Sequence, residues 1–334
     1  MNTVGIGDLA QGYLLRSRST ALKQDMQRLN AELTSGQVSD VRKTLSGNYS
    51  FLTDVERKVG VLGNYAIAAT EASHFTGSMQ QALGHFGSLT EGLASSLMVA
   101  GTSASGANAA DIASDARATL DGLVSTLNVS VAGRSLFAGN ATNRAPLTDS
   151  AALLADLSTA MGGATTPTDM IASAEVWFNS PAGFEAITYR GSNDALSPFA
   201  LSPKDSVAVD LRATDPGFTR AMRGAAVAAL ATDPAFGLSS QDQSTLFGLI
   251  GQDLLAGQAD ILTLQAKVGF AEAQVDTIAA RNAAEVTSLN MARNSLLEAD
   301  PFEAATKLEE VQFQLQSLYS ITVRMSQLSL VNYL

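Results

Sequence analysis

Apolar residues step by three and four along both ends of the chain. From Leu15 the sequence places Leu22, Met26, Leu29 and Leu33 at intervals of seven, four, three and four, ending at Ser35-Gly36. This spacing predicts one stripe on a helix, closed by a C-capping glycine. Val55, Val59, Leu62, Ala66 and Ala69 continue such a seam; Met79 to Leu97 holds another; Ile112, Ala116, Leu120, Leu123, Leu127 and Val131 form a third. Over 257–299 the residues Ile261, Leu264, Val268, Ala271, Val275 and Ile278 read as heptad positions, broken at Asn282 and Glu285 and resumed at Leu289, Ala292 and Leu296. The break is either a solvated interruption or a polar pair that fixes register.

Asp300-Pro301-Phe302-Glu303 then carries a helix start: Asp as N-cap, Pro at N1, where its missing N–H costs nothing, and Glu at N3. Leu308, Val311, Leu315, Leu318 and Met325 again step by three, four and seven. A helix from 301 to about 331 would be ~45 Å long at 1.5 Å per residue. The stripes of the two chain ends match, and the long seams between them predict a bundle of long helices.

The centre breaks this pattern. Of eight prolines, seven fall between Pro146 and Pro234, and only Pro301 lies outside. Period-two stretches at 171–178 (IASAEVWF), 184–189 (FEAITY) and 207–211 (VAVDL), bounded by turn residues, predict strands, with one helical segment over 151–161. The expected fold is mainly α with a β-rich insert: a long-helix bundle and coiled coil formed by the N- and C-terminal arms, with a small α+β or β domain in the middle. The expected boundaries are 1–44 with 291–334 for a terminal helical tube-forming domain, 45–145 with 235–290 for a helical bundle domain, and 146–234 for the outer insert.

Composition narrows the chemistry. The 334 residues hold 21 Lys+Arg against 32 Asp+Glu, a net charge of −11, which weighs against nucleic-acid binding. Residues 1–50 carry six basic and four acidic side chains, so the excess of acid lies in the rest. The absence of cysteine excludes disulfides, thiolate metal sites and thiol nucleophiles, and two histidines leave little for a His-based site. The first ten residues lack the pattern of a cleaved signal peptide, and no run approaches a bilayer span, so neither cleaved export nor membrane insertion is expected.

Four motifs bear on chemistry. Gly5-x-Gly7-x-x-Ala10 loosely matches a dinucleotide fingerprint, but the preceding strand which that loop needs has only four residues to occupy. His74 and His85, eleven apart, would lie ~16 Å apart along a helix, too far to share a metal. Asp205, Asp210 and Asp215 read as strand-edge and turn residues, and the polar run Tyr189 to Asp194 as a loop between strands. No catalytic residue, cofactor or metal is expected.

Several segments resemble a known family. Asp300 to Leu308 (DPFEAATKL), Gln312 to Tyr319 (QFQLQSLY) and the ending Leu328 to Leu334 (LSLVNYL) are similar to the C-terminal helix of the bacterial flagellin superfamily, and within it of the hook-filament junction proteins. Leu29 to Gly36 (LNAELTSG) resembles the family's L-x-x-x-L-x-S-G segment, and Ala132 to Asn140 (AGRSLFAGN) its Gly-x-Tyr-Leu-Phe-x-Gly turn. Two departures stand out: Ser135 replaces an aromatic, and Ser39 to Lys43 replaces the Asp-Asp-Pro-like run after Gly36.

The resemblance implies a non-enzymatic, extracellular subunit exported without a cleaved signal, stacking terminal helices into a ring or helical assembly of copies. Its implied neighbours are another hook-associated protein on the hook side, flagellin or a second junction protein on the filament side, and an export chaperone. Intersubunit packing is then expected of Leu15, Leu22, Met26, Leu29, Leu33, Leu308, Val311, Leu315, Leu318, Met325, Leu328 and Leu330, with the chaperone on Leu308, Leu315, Leu318 and Leu330. The filament flagellin itself, a non-flagellar coiled-coil protein and a nucleotide-binding enzyme are the alternatives.

Overall fold

The computed structural model describes residues 6–46, 49–102 and 108–331, with side chains described from residue 10 to residue 325 within those spans. The chain divides into two compact units, Met1–Leu62 with Ala284–Leu334, and Gly63–Ala283.

The first unit holds α1 (Ile6–Ser35), the single turn α2 (Val41–Thr44), the start of α3 (Ser50–Thr102), the end of α9 (Ser240–Leu297) and α10 (Pro301–Val331). Gly36 ends α1 in the left-handed region, φ +68°, as its C-capping role requires, and its N–H reaches the Glu32 carbonyl at 2.9 Å. The chain then pairs with the α9–α10 linker. The Val38 N–H donates to the Leu297 carbonyl at 2.8 Å, the Ala299 N–H donates to the Gly36 carbonyl at 3.0 Å, and Gln37 and Glu298 form an antiparallel bridge. Ser39 to Lys43 then supply the start of α2, where the Asp40 carboxylate caps the Lys43 N–H at 3.1 Å.

α10 begins where its capping signal stands: the Asp300 carboxylate accepts from the N–H groups of Phe302, 2.8 Å, and Glu303, 3.2 Å. Both arms are long helices, and the mainly α class holds.

In the second unit α3 and α9 are joined by α4 (Ala109–Leu127), the hairpin β1 (Ser130–Val131) and β2 (Arg134–Ser135), α5 (Ser150–Ala160), α6 (Pro167–Asn179), α7 (Phe184–Ile187), the hairpin β3 (Phe199–Ala200) and β4 (Ser206–Val207), and α8 (Pro216–Ala229). Both hairpins are antiparallel, with registers Ser130↔Ser135 and Phe199↔Val207. Ala132 and Gly133 turn the first with φ of 51° and 77°, the positive pair that a tight hairpin turn takes.

The β-rich centre expected from the sequence is corrected here, because 171–178 lies in α6 and 184–187 in α7, and of the stretch 207–211 only Val207 lies in a ladder. Thr166 explains the first error. Its hydroxyl accepts from the Asp169 N–H at 3.2 Å, Pro167 takes N1, and Met170, Ala174, Trp177 and Phe178 are buried at helical intervals of four, three and one. The cap and that spacing outweigh the alternation of IASAEVWF. α8 likewise starts on a proline at N1, Pro216. One hydrophobic cluster runs through the unit from Ala69 to Ile278, including Phe137, Leu153, Trp177 and Phe218, so 146–234 shares a core with the helices around it.

Candidate functional site

α1 and α10 lie against each other through the stripes read from the sequence. Leu22, Leu315 and Leu318 form a buried cluster, with Leu15, Met26 and Val311 packed against it. Leu29 is buried farther along α1, while Leu33, Leu308 and Met325 are half-buried. Each fully buried leucine contributes ~1.5–3 kcal/mol. The Lys23 ammonium stands 5.9 Å from the Tyr319 ring centre, close enough for a cation–π contact on the rim of the pair. The side chains of Leu328 and Leu330 lie outside the described residues.

The stripe assigned to intersubunit packing therefore joins the two ends of one chain. A different set of apolar residues faces outward: Tyr13 and Leu14 on α1, and Phe302, Phe313, Ile321 and Val323 on α10, with Phe302 82% exposed and Phe313 69%. These residues lie off the one stripe per helix that the spacing marks. The signal was two phenylalanines eleven residues apart, three helical turns, off the leucine seam.

At the α1 end of the pair, charges are engaged with one another. Arg28 hydrogen-bonds Asp25 at 3.0 Å and Glu32 at 3.3 Å, and the Asp25 bond above all raises its pKa. Glu32 is 9% exposed and also accepts from the Ser39 N–H at 3.1 Å. This carboxylate ties the residues after Gly36 back to α1.

The other sequence candidates are dispersed. Gly7 and Ala10 lie inside α1, and Gly5 lies outside the described residues. His74 and His85 are exposed on α3. Asp205 accepts from Ser202 and pairs with Arg281; Asp210 pairs with Arg212 at 3.3 Å; Asp215 begins α8, its pKa raised by burial. In the run 189–194, Tyr189 donates its hydroxyl to the Ser192 carbonyl at 2.9 Å, and burial pushes its pKa up to about 12. The same loop packs on the 132–140 turn: the Ser192 N–H reaches the Ala138 carbonyl at 2.9 Å and the Asn140 N–H the Asp194 carbonyl at 3.0 Å. A side chain at Gly139, φ +60°, would collide with those 192 and 194 carbonyls. These contacts make the run a buttress.

A charge network lies in a groove lined from α6, α8 and α9, where Arg220 and Arg223 both bind Asp253, at 2.7 and 2.9 Å. Arg220 reaches Asp260 as well, at 3.3 Å. Every group in it is answered by an opposite charge, which joins α8 to α9. Among the described residues no group of three or more Asp, Glu, His or Cys is placed to hold a metal, and no helix is long and apolar enough to cross a membrane.

Residues 256–334, the greater part of α9 and all of α10, match the family model of the bacterial flagellin C-terminal helical region. Among solved structures, one from Vibrio parahaemolyticus assigned as a flagellar hook-associated protein is similar to this chain with a TM-score of 0.50 at 11% identity, over 73% of this chain and 95% of that one. No curated protein matches. Residues 256–334 are thus similar to the flagellin C-terminal helical region, and the chain carries a mainly helical fold similar to that of the Vibrio parahaemolyticus structure.

Proposed function

We propose that this chain is a structural subunit of the bacterial flagellum, an adaptor at the hook-filament junction of the hook-associated protein 3 type, which acts by helix packing and not by catalysis. The observation that carries the reading is the pairing of α1 with α10 through Leu22, Leu315 and Leu318. That pairing joins the ends into one element with apolar residues such as Phe302 and Phe313 left facing out. A soluble monomer gains nothing from such residues, whereas an assembly buries them.

In this reading, copies of the chain form a ring or helical layer. A hook-associated protein lies on the hook side, and flagellin or a second junction protein on the filament side. The subunit travels out of the cell without a cleaved signal peptide. A chaperone that takes Leu308, Leu315, Leu318 and Leu330 has to displace α1 first, because Leu315 and Leu318 are buried against Leu22. The flagellin family model over 256–334 favours one second reading, the filament subunit itself.

Electron microscopy of a deletion strain, with assay of flagellin in the medium, tests both. Hooks without filaments, together with flagellin released to the medium, is the expected junction phenotype. Hooks without filaments and no flagellin released points to the filament subunit. Normal filaments would overturn the flagellar assignment.

A further inference from the structure

We infer that the β3–β4 hairpin is a latch that fixes the rotation and axial register of α9, with Asn282 as its key. Along α9 the buried residues Ile261, Leu264, Val268, Ala271, Val275 and Ile278 form a seam at heptad spacing. Asn282 takes the next place and is 4% exposed. A carboxamide so deeply buried is costly unless it is hydrogen-bonded. Its Nδ2 donates to the carbonyl of Leu201, itself fully buried, at 2.8 Å.

The hairpin holds α9 at the adjacent residue too, since Asp205 pairs with Arg281. On its other side it holds α3: the Phe199 ring lies 5.6 Å from the Phe75 ring, and Arg134 sits over both rings while pairing with Glu71. The ladder of the hairpin is only two residue pairs long, so these anchors to α3 and α9 set its position.

An apolar seam tolerates sliding, because one leucine-sized residue replaces another in each gap. A hydrogen bond to one carbonyl does not. If α9 slid by one turn, about 5.4 Å, Ile278 would face the Leu201 carbonyl, and both the carbonyl and the Asn282 amide would be buried without partners. The Asn282 interruption of the seam therefore penalises every other register at this end of α9.

The chain has no cysteine, so Lys204→Cys with Gln274→Cys, both exposed positions, gives a clean pair of spin labels between hairpin and α9. In this background one narrow distance is expected. Adding Asn282→Leu, which continues the apolar seam, should keep the helix content and bring in a second distance displaced by about one helical turn, ~5 Å. Asn282→Ala should speed hydrogen exchange of 199–207 about tenfold, as loss of one buried hydrogen bond implies. Arg281→Ala, which removes only the exposed pair, should change it less than about twofold. A single, unchanged distance in folded Asn282→Leu overturns the inference. Should that variant fail to fold, unchanged exchange of 199–207 in Asn282→Ala overturns it.

Discussion

The ring of Phe218 on α8 meets the ring of Phe86 on α3 edge-on, with centroids 5.0 Å apart and planes at 73°. Phe137 approaches the same Phe218 ring at 5.4 Å and 72°. All three rings are fully buried. A residue from the proline-rich centre thus stands between two residues of the surrounding chain, as a keystone of their common core.

Phe218→Ala is accordingly expected to cost ~3–5 kcal/mol, the range for emptying a fully buried aromatic site. Deleting 146–234 and splicing the flanks with a flexible linker should leave Phe86 and Phe137 without their partner and the 63–283 unit unfolded. Urea unfolding of the point variant and circular dichroism of the deletion check both. A deletion that melts cooperatively near the parent would establish the centre as an autonomous insert.

That expectation differs from what the prolines alone suggest, and the reason is instructive. Pro167, Pro216 and Pro301 each occupy the first position of a helix, where a proline initiates and does not break. Asp300 was legible as a cap because Glu303 and a long leucine stripe follow it; Thr166 carries the same information but precedes IASAEVWF, whose alternation competes. α1 to Gly36 and α10 from Pro301 were legible to the residue because cap and period agree. The outward-facing Phe302 and Phe313 were not, since a stripe says which residues face a neighbour, not whether the neighbour lies in the same chain. The Arg220–Asp253 pair was illegible for a plainer reason: its partners are 33 residues apart, on different helices.

The two faces of α10 should separate by mutation. Leu315→Asp with Leu318→Asp forfeits ~1.5–3 kcal/mol of burial per leucine and places two carboxylates against Leu22, so α1 and α10 should lose protection in the isolated subunit. Phe313→Asp, on the exposed face, should leave the melting of the subunit within ~0.5 kcal/mol of wild type. Hydrogen exchange of 10–35 and 301–325 reads the difference. Equal protection in both variants would mean that the leucine stripe does not hold the ends together.

The Arg220–Asp253–Arg223 network should make stability fall in acid. Burial pushes the Asp253 pKa up, but hydrogen bonds from Arg220 and Arg223 outweigh it and hold the value below the ordinary 3.8. A carboxylate with a depressed folded pKa contributes stability that is full above the unfolded value and disappears as pH falls through the folded one. Between about pH 4 and the lower folded value, wild type should therefore lose stability that Asp253→Asn does not have to lose. Asp215 has the opposite sign, since burial raises its pKa and the folded state holds the proton more tightly. Its contribution is present below 3.8 and lost as pH rises through the folded value, so Asp215→Asn should flatten the curve on that side. Urea midpoints measured from pH 2 to 7 test both signs, and parallel curves for Asp253→Asn and wild type would discount the network.

The crossing of α3 and α9 at Gly101 and Gly248 predicts an asymmetric pair of variants. A Cβ on Gly101 would stand 2.5 Å from the Gly248 Cα and 2.7 Å from its nitrogen, whereas a Cβ on Gly248 would meet the Gly101 Cα at an ordinary 3.6 Å. The first contact is with backbone, which cannot rotate away, so Gly101→Ala must push the helices apart at a cost of ~1–3 kcal/mol. Gly248→Ala meets no such wall. It also removes a glycine from the interior of a helix, where alanine is favoured by up to ~1 kcal/mol, so the variant should be neutral or more stable than wild type. Both substitutions add one methyl group to the same crossing, and propensity alone would make both stabilising. Thermal and urea unfolding of the two variants side by side therefore isolate the packing effect. If Gly101→Ala is as stable as Gly248→Ala, the helices do not cross as closely as their backbones indicate.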